Sequence, residues 1–171
     1  MHMPELKKSY SFSDCLFWVA MALVPVMVAG GAVAAESGLW AAIYVLILLA
    51  VNLGIVVRLF CTRCPHYRKE GKVHCLFMWA MPRIYPARQG GLTSLDKLIL
   101  AAGGILMVLF PLPWLLLHPW SLIIYLLSAS LFAAGLRRFE CCRCIYFGCP
   151  LNTVPGQVKQ ADEDHDGGMQ Q

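Results

Sequence analysis

The chain has 171 residues, 58% of them apolar and 14% charged, with a formal net charge of +4 and a mean hydropathy of +0.61. Soluble domains run at about half apolar and about one quarter charged, so this composition excludes an ordinary soluble enzyme and points to the bilayer as solvent. The sequence shows no phosphate-binding loop, nucleophile triad, paired carboxylates or nucleic-acid surface, and the lipid bilayer is its first expected partner.

The first uncharged run, Leu16 to Ala35, and the second, Leu39 to Val57, each reach the length of about 20 residues that a helix needs to cross about 30 Å of hydrocarbon. Between them, Ala35 to Gly38 reads as a tight turn in which Glu36 is the only charge. An Ala-x-Ala pattern within Gly30 to Ser37 would suit a signal peptidase, but the preceding run is longer than a signal core, so the first helix is expected to remain. The third run, Leu98 to Leu136, is nearly twice one crossing, and Pro111 to Trp120 ("PLPWLLLHPW") marks where it turns back. Helices are expected throughout, because in lipid each spanning segment must satisfy its own backbone, and strand alternation is absent.

The expected fold is therefore an all-α integral membrane protein of four transmembrane helices arranged as two tandem helical hairpins. Residues 1–97 form the first hairpin with its cysteine-containing loop, 98–155 the second with its cysteine cluster, and 156–171 a polar, acidic, disordered tail. All fourteen lysines and arginines fall on one side of this scheme, in Lys7 and Lys8, in Arg58 to Lys97 and in Arg137 to Lys159. The positive-inside rule makes that side cytoplasmic, with both termini, and the location an inner (cytoplasmic) membrane.

Each hairpin ends in a similar stretch. "RLFCTRC", Arg58 to Cys64, and "RFECCRC", Arg138 to Cys144, align without gaps at Arg, Cys, Arg and Cys, and each is followed by a further cysteine, Cys75 or Cys149. This implies an internal duplication whose two copies are related by an axis along the membrane normal. Seven of the eight cysteines lie on the expected cytoplasmic side, and Cys15 lies at that end of the first helix. Thiols there are kept reduced, so metal binding or redox chemistry is a better account than structural disulfides.

Cys61, Cys64, Cys141 and Cys144 make two Cys-x-x-Cys pairs suited to one four-thiolate site, with Cys75 and Cys149 completing a cluster or a second site. Such a centre is anionic, and Arg58, Arg63, Arg138 and Arg143 are placed to offset its charge or, equally, to flank the helices as topology signals. An iron-sulfur cluster is the expected cofactor and zinc the alternative. "CCRCIYFGCP" resembles bacterial ferredoxin loops in its dense cysteines ending in Cys-Pro, at a different spacing. Phe60, Tyr67, Phe139, Tyr146 and Phe147 would shield a cluster or anchor the chain at the interface. His66 and His74 stand beside the cysteines as spare ligands.

The function expected from this set is electron transfer, or an accessory role, in a membrane redox system, with catalysis left to a membrane or cytoplasmic redox partner. The alternatives are a soft-metal carrier using thiol pairs and a structural zinc site, and facing motifs from two copies of the chain would complete the site as well. Paired haem-ligating histidines, a Cys-x-x-Cys-His motif and a thioredoxin βαβ context are all missing. The four-helix membrane thiol oxidases of disulfide formation resemble the chain in helix count only. Asn52 reads as an interhelical hydrogen bond, and His74 to Gly91 as a segment lying on the inner leaflet or on a partner. No carboxylate is expected within the membrane, which argues against proton-coupled transport.

Overall fold

The computed structural model describes residues 6–7, 9–68, 73–77, 79–149 and 151–160. The end of the expected tail, 161–171, with His165, lies outside the described residues. The described chain is mostly helical. Helix α1 (Phe12–Glu36) starts at a capping box in which Ser11 Oγ accepts from Asp14 N at 3.2 Å and Asp14 Oδ2 accepts from Ser11 N at 3.0 Å. Ser37, in extended conformation, turns the chain in one residue into α2 (Gly38–Leu49). That helix widens into a π-helical stretch, Ala50–Phe60, and tightens into a single 3₁₀ turn, Cys61–Arg63. A short helix α3 (Pro65–Arg68) and two strands, β1 (Val73–His74) and β2 (Trp79–Met81), paired antiparallel, make up the ordered part of the central loop.

Helix α4 (Ser94–Leu109) repeats the capping device with Thr93 and Asp96, whose two bonds measure 3.2 and 3.0 Å. It is followed by α5 (Leu112–Leu117) and α6 (Pro119–Gly135), and α6 ends in a π-helical turn, Leu136–Glu140. Four helical stretches, Phe12–Glu36, Gly38–Arg63, Ser94–Leu117 and Pro119–Glu140, are long and apolar enough to cross a membrane. Their apolar surface is mostly unburied: only 6% of the most apolar window of the last stretch lies inside the protein, and Leu116 and Trp120 are 67% and 77% exposed. Such a surface is tolerable only against lipid.

Two differences from the expected elements have physical causes, whereas the turn expected within Pro111 to Trp120 is found there, at His118. Pro111 caps α5, Pro113 lies in its first turn and Pro119 opens α6, all places where a helix has no partner for the missing N–H. The strand pair is a small departure from an all-α chain and lies wholly in the loop. The capping boxes and the π-helical end of α6 bring Asp14, Asp96 and Glu140 into the terminal turns of the apolar stretches, beyond the uncharged runs, while Glu36 ends α1 at its expected turn.

Helix α1 packs against α6, α2 and α5, and α4 packs against the π-helical Ala50–Phe60. Near the Ser37 and His118 turns the core is Ala29, Ala32, Tyr44, Leu115 and Tyr125, with Tyr44 stacked on Phe110 at 5.7 Å and Trp40 tilted against Trp114 at 5.5 Å. At the opposite end, Tyr10, Trp18 and Leu76 pack together, and Phe77 reaches Phe132 at 6.4 Å, so the central loop folds back onto α6. Asn52 Nδ2 donates to Leu48 O at 2.8 Å and contacts Met107 Sδ at 3.5 Å, the interhelical role expected of it.

Gly103 is packed tightly against the facing helix, where an added Cβ would meet Val51 Cγ1 at 3.1 Å, whereas at Gly104 nothing lies within 4 Å. Small residues permit such approaches in membranes, where packing drives helix association. Gly103→Leu is expected to destabilise the fold by about 1–3 kcal/mol through overpacking, with Gly104→Leu near neutral. Thermal unfolding of both variants in detergent checks this, and equal melting temperatures would contradict the packing.

Candidate thiol site

The two arginine-cysteine stretches share a set of local hydrogen bonds, although Cys61–Arg63 is a 3₁₀ turn and residues 141–143 form a plain turn. Each begins where a π-helical segment ends, at Cys61 and at Cys141. Thr62 Oγ1 donates to Arg58 O at 2.8 Å, and at the matching position Cys142 Sγ donates to Arg138 O at 2.9 Å. One residue on, Arg63 Nη1 donates to Leu59 O at 2.7 Å and Arg143 Nε to Phe139 O at 3.0 Å. Widened and terminating turns leave carbonyls without their usual N–H partners, and the side chain four residues ahead supplies the donor in both stretches. π-helical turns occur often at functional sites.

After these turns the cysteines converge. Cys64, 6% exposed, is buried with Val57, Tyr67, Val73 and Tyr146, and Phe60, Cys61, Cys75, Tyr85, Cys144 and Cys149 pack against that group. Five cysteines from three separate segments thus share one apolar nest. Cys141 and Cys142 are half-buried beside it, and all eight cysteines are free thiols. Backbone and side-chain bonds hold the nest in place. Tyr67 Oη donates to Tyr85 O at 2.8 Å and accepts from Tyr85 N at 3.0 Å. Asn152 Nδ2 donates to Cys144 O at 2.9 Å and to Tyr146 O at 3.1 Å. The backbone of Lys7 donates to Arg143 O at 2.8 Å, which brings the N-terminal segment onto the second stretch.

The electrostatics are those of protonated thiols. Burial pushes Cys64 up first, and the neighbouring Cys75, Cys144 and Cys61 add to it. Cys141 is pushed up to about 11 by burial, then by Cys149, Cys144, Cys142 and Glu140. Burial also raises Cys144 and Cys149, each partly countered by backbone N–H groups that donate to sulfur, from Tyr146 at 3.5 Å and Leu151 at 3.4 Å. N–H···S bonds of this kind favour thiolate, and a bound metal would displace the protons outright.

The expected site residues fall into two groups. Cys61, Cys64, Cys75, Cys144 and Cys149 are brought together and Cys141 borders them, yet among the described residues no three His, Cys, Asp or Glu side chains are grouped as a metal ion requires. The arginines are not gathered over the thiols. Arg58 and Arg138 are exposed, while Arg63 Nη2 is 3.0 Å from Asp96 Oδ2. His66 is buried edge-on to Tyr10 at 5.1 Å, and His74 is exposed beside Trp79 at 5.7 Å.

Sequence reasoning missed Glu140. It is 6% exposed and accepts from Trp18 Nε1 at 3.0 Å, and its Oε2 lies 3.6 Å from Lys7 Nζ, itself 3.1 Å from Asp14 Oδ2. The available signal was a lone acid inside "RFECC", directly before a cysteine, where the matching residue is Phe60.

Two outcomes follow from burial and pairing. Thiol alkylation of the native chain, read by peptide mass spectrometry, is expected to modify Cys64 at least about tenfold more slowly than Cys142, since access limits thiol reactivity. Glu140→Ala strands the Trp18 N–H and is expected to cost about 1–3 kcal/mol, while Glu140→Gln keeps an acceptor and costs less. Thermal melting together with Trp18 fluorescence separates the two variants. Against protein-family models, curated proteins and solved structures alike, the chain finds no match.

Proposed function

We propose that the protein is a duplicated pair of membrane hairpins carrying a cysteine-ligated metal centre, and that it passes electrons to or from a membrane redox system. The observation that carries this reading is the nest of Cys61, Cys64, Cys75, Cys144 and Cys149 at the membrane edge, drawn from both repeated stretches. The matched carbonyl bonds at Thr62 and Cys142, and at Arg63 and Arg143, support the duplication. So do the capping boxes that open α1 and α4, and the packing of α1 on α6 and of α4 on Ala50–Phe60, which pairs the first helix of each half with the second helix of the other.

The donor chemistry fits an iron-sulfur cluster: soft sulfur ligands, aromatic cover from Phe60, Tyr67 and Tyr146, and N–H···S bonds that lower the cost of thiolate charge. The spacing does not fit a single ion as it stands. The Cys61–Cys64 and Cys141–Cys149 segments would have to close on the group as it binds, which is the usual coupling of metal binding to folding. The cluster would supply one-electron chemistry, while this chain's residues bind it, exclude water and hold its charge. The distribution of lysine and arginine supports an inner membrane location with both termini and the site in the cytoplasm.

The test is anaerobic purification in mild detergent, with an absorption spectrum and iron, zinc and sulfide contents for the wild type and for Cys64→Ser combined with Cys144→Ser. Visible absorption with iron and sulfide, both lost in the double variant, is the expected result. A colourless protein with about one zinc per chain would replace electron transfer with a structural clamp. A metal-free protein with reactive thiols would favour soft-metal carriage or thiol exchange.

A further inference from the structure

The two halves differ at one matched place. In the first, Arg63 closes onto Asp96, the acid of the α4 capping box, at 3.0 Å. In the second, the matching pair is Arg143 and Asp14, the acid of the α1 capping box, and among the described residues Arg143 has no carboxylate within 4.0 Å. Asp14 turns instead to Lys7 and Ser11 and makes all of these contacts through Oδ2. Between Arg143 and Asp14 lies an open cavity of ≈ 400 Å³, walled by Phe17, Trp18 and Phe139 and floored by Glu140, with Ser13 at its rim.

The cavity sits where α1 begins and the last crossing ends, which is headgroup depth in a bilayer. Phe17 and Phe139, 57% and 54% exposed, face outward from its mouth and continue the lipid-facing surface. Its lining carries both signs, Arg143 on one side and Asp14 and Glu140 on the other, and Lys7, outside the lining, is ion-paired to both carboxylates. An anionic headgroup would gain Arg143 but bring its charge against two carboxylates and offer them no cation. A zwitterionic headgroup meets both signs, with phosphate oxygens for the guanidinium and an ammonium for the carboxylate, and its glycerol and acyl carbons lie along the aromatic walls.

We propose that this cavity is a binding site for one zwitterionic phospholipid, phosphatidylethanolamine as probe, with its phosphate on Arg143 and its ammonium on Asp14. The site is independent of the metal reading and stands or falls without it. It cements the seam between α1 and α6 at the point where the other half is closed by its own ion pair.

The experiment places the full chain in nanodiscs of equal phosphatidylethanolamine and phosphatidylglycerol, releases it into detergent and counts retained lipids by native mass spectrometry. Wild type and Arg137→Gln, a charge loss at the same membrane edge outside the cavity, are expected to keep one phosphatidylethanolamine. Arg143→Gln is expected to retain about tenfold less, the loss of a charge-assisted contact. Ser13→Phe fills the cavity without removing a charge and is expected to do the same, so it decides the matter if Arg143→Gln fails to fold. Retention by Ser13→Phe or by folded Arg143→Gln at the wild-type level would overturn the site, as would retention of phosphatidylglycerol at least equal to that of phosphatidylethanolamine.

Discussion

A buried carboxylate holds the first helix and the segment before it against the end of the last helical stretch. Glu140 accepts from the Trp18 indole and faces the Lys7 ammonium, and Lys7 in turn reaches Asp14 with its side chain and Arg143 with its backbone. A charge so little exposed is tolerable only when paired and hydrogen-bonded. Its partners therefore cannot drift: α1 must start beside the end of the last crossing, and the N-terminal segment must lie along the Arg143–Cys144 backbone. The position of Cys144 in the thiol nest depends on that register, because the segment that carries it is clamped on one side by Lys7 and on the other by Asn152.

The same logic of leftover backbone groups shapes both arginine-cysteine stretches. A helix that leaves the membrane must hand its last carbonyls to something other than lipid. Here the chain widens into π-helical turns and uses Thr62, Arg63, Cys142 and Arg143 as donors to the carbonyls four residues earlier. Arg63 and Arg143 are thereby committed to helix termination, and Arg63 to Asp96 as well, while Arg58 and Arg138 are exposed, so none of the four gathers over the sulfurs. The charge acting on the thiols comes from other thiols and from Glu140, and burial outweighs both.

Much of the architecture was legible because hydrophobic length is a strong signal: the four crossings follow from uncharged runs alone. Their ends were not legible, since a Ser-x-x-Asp or Thr-x-x-Asp cap and a π-helical exit add residues that composition does not mark. The prolines of the third run marked its turn correctly but not the exact residue, as the same residue that breaks a helix interior starts one well. The meeting of Cys64 with Cys75, Cys144 and Cys149 was legible from the repeat. Glu140 was not, because its partner Trp18 is 122 positions away and nothing local reveals the pairing.

The turns opposite the thiol nest have a consequence of their own. Ser37 is the one residue between α1 and α2, and His118 the one residue between α5 and α6, while Glu36 and His118 approach to 3.4 Å across the gap. Connections that short leave no loop to project beyond the headgroups, only the aromatic rim of Trp40, Trp114 and Trp120. Among the described residues, the Ser37 and His118 turns leave little polypeptide at their end of the helices for a water-soluble partner to contact. Among the described residues, the longer connections, the cysteines of the nest and Lys7 lie at the opposite end of the helices.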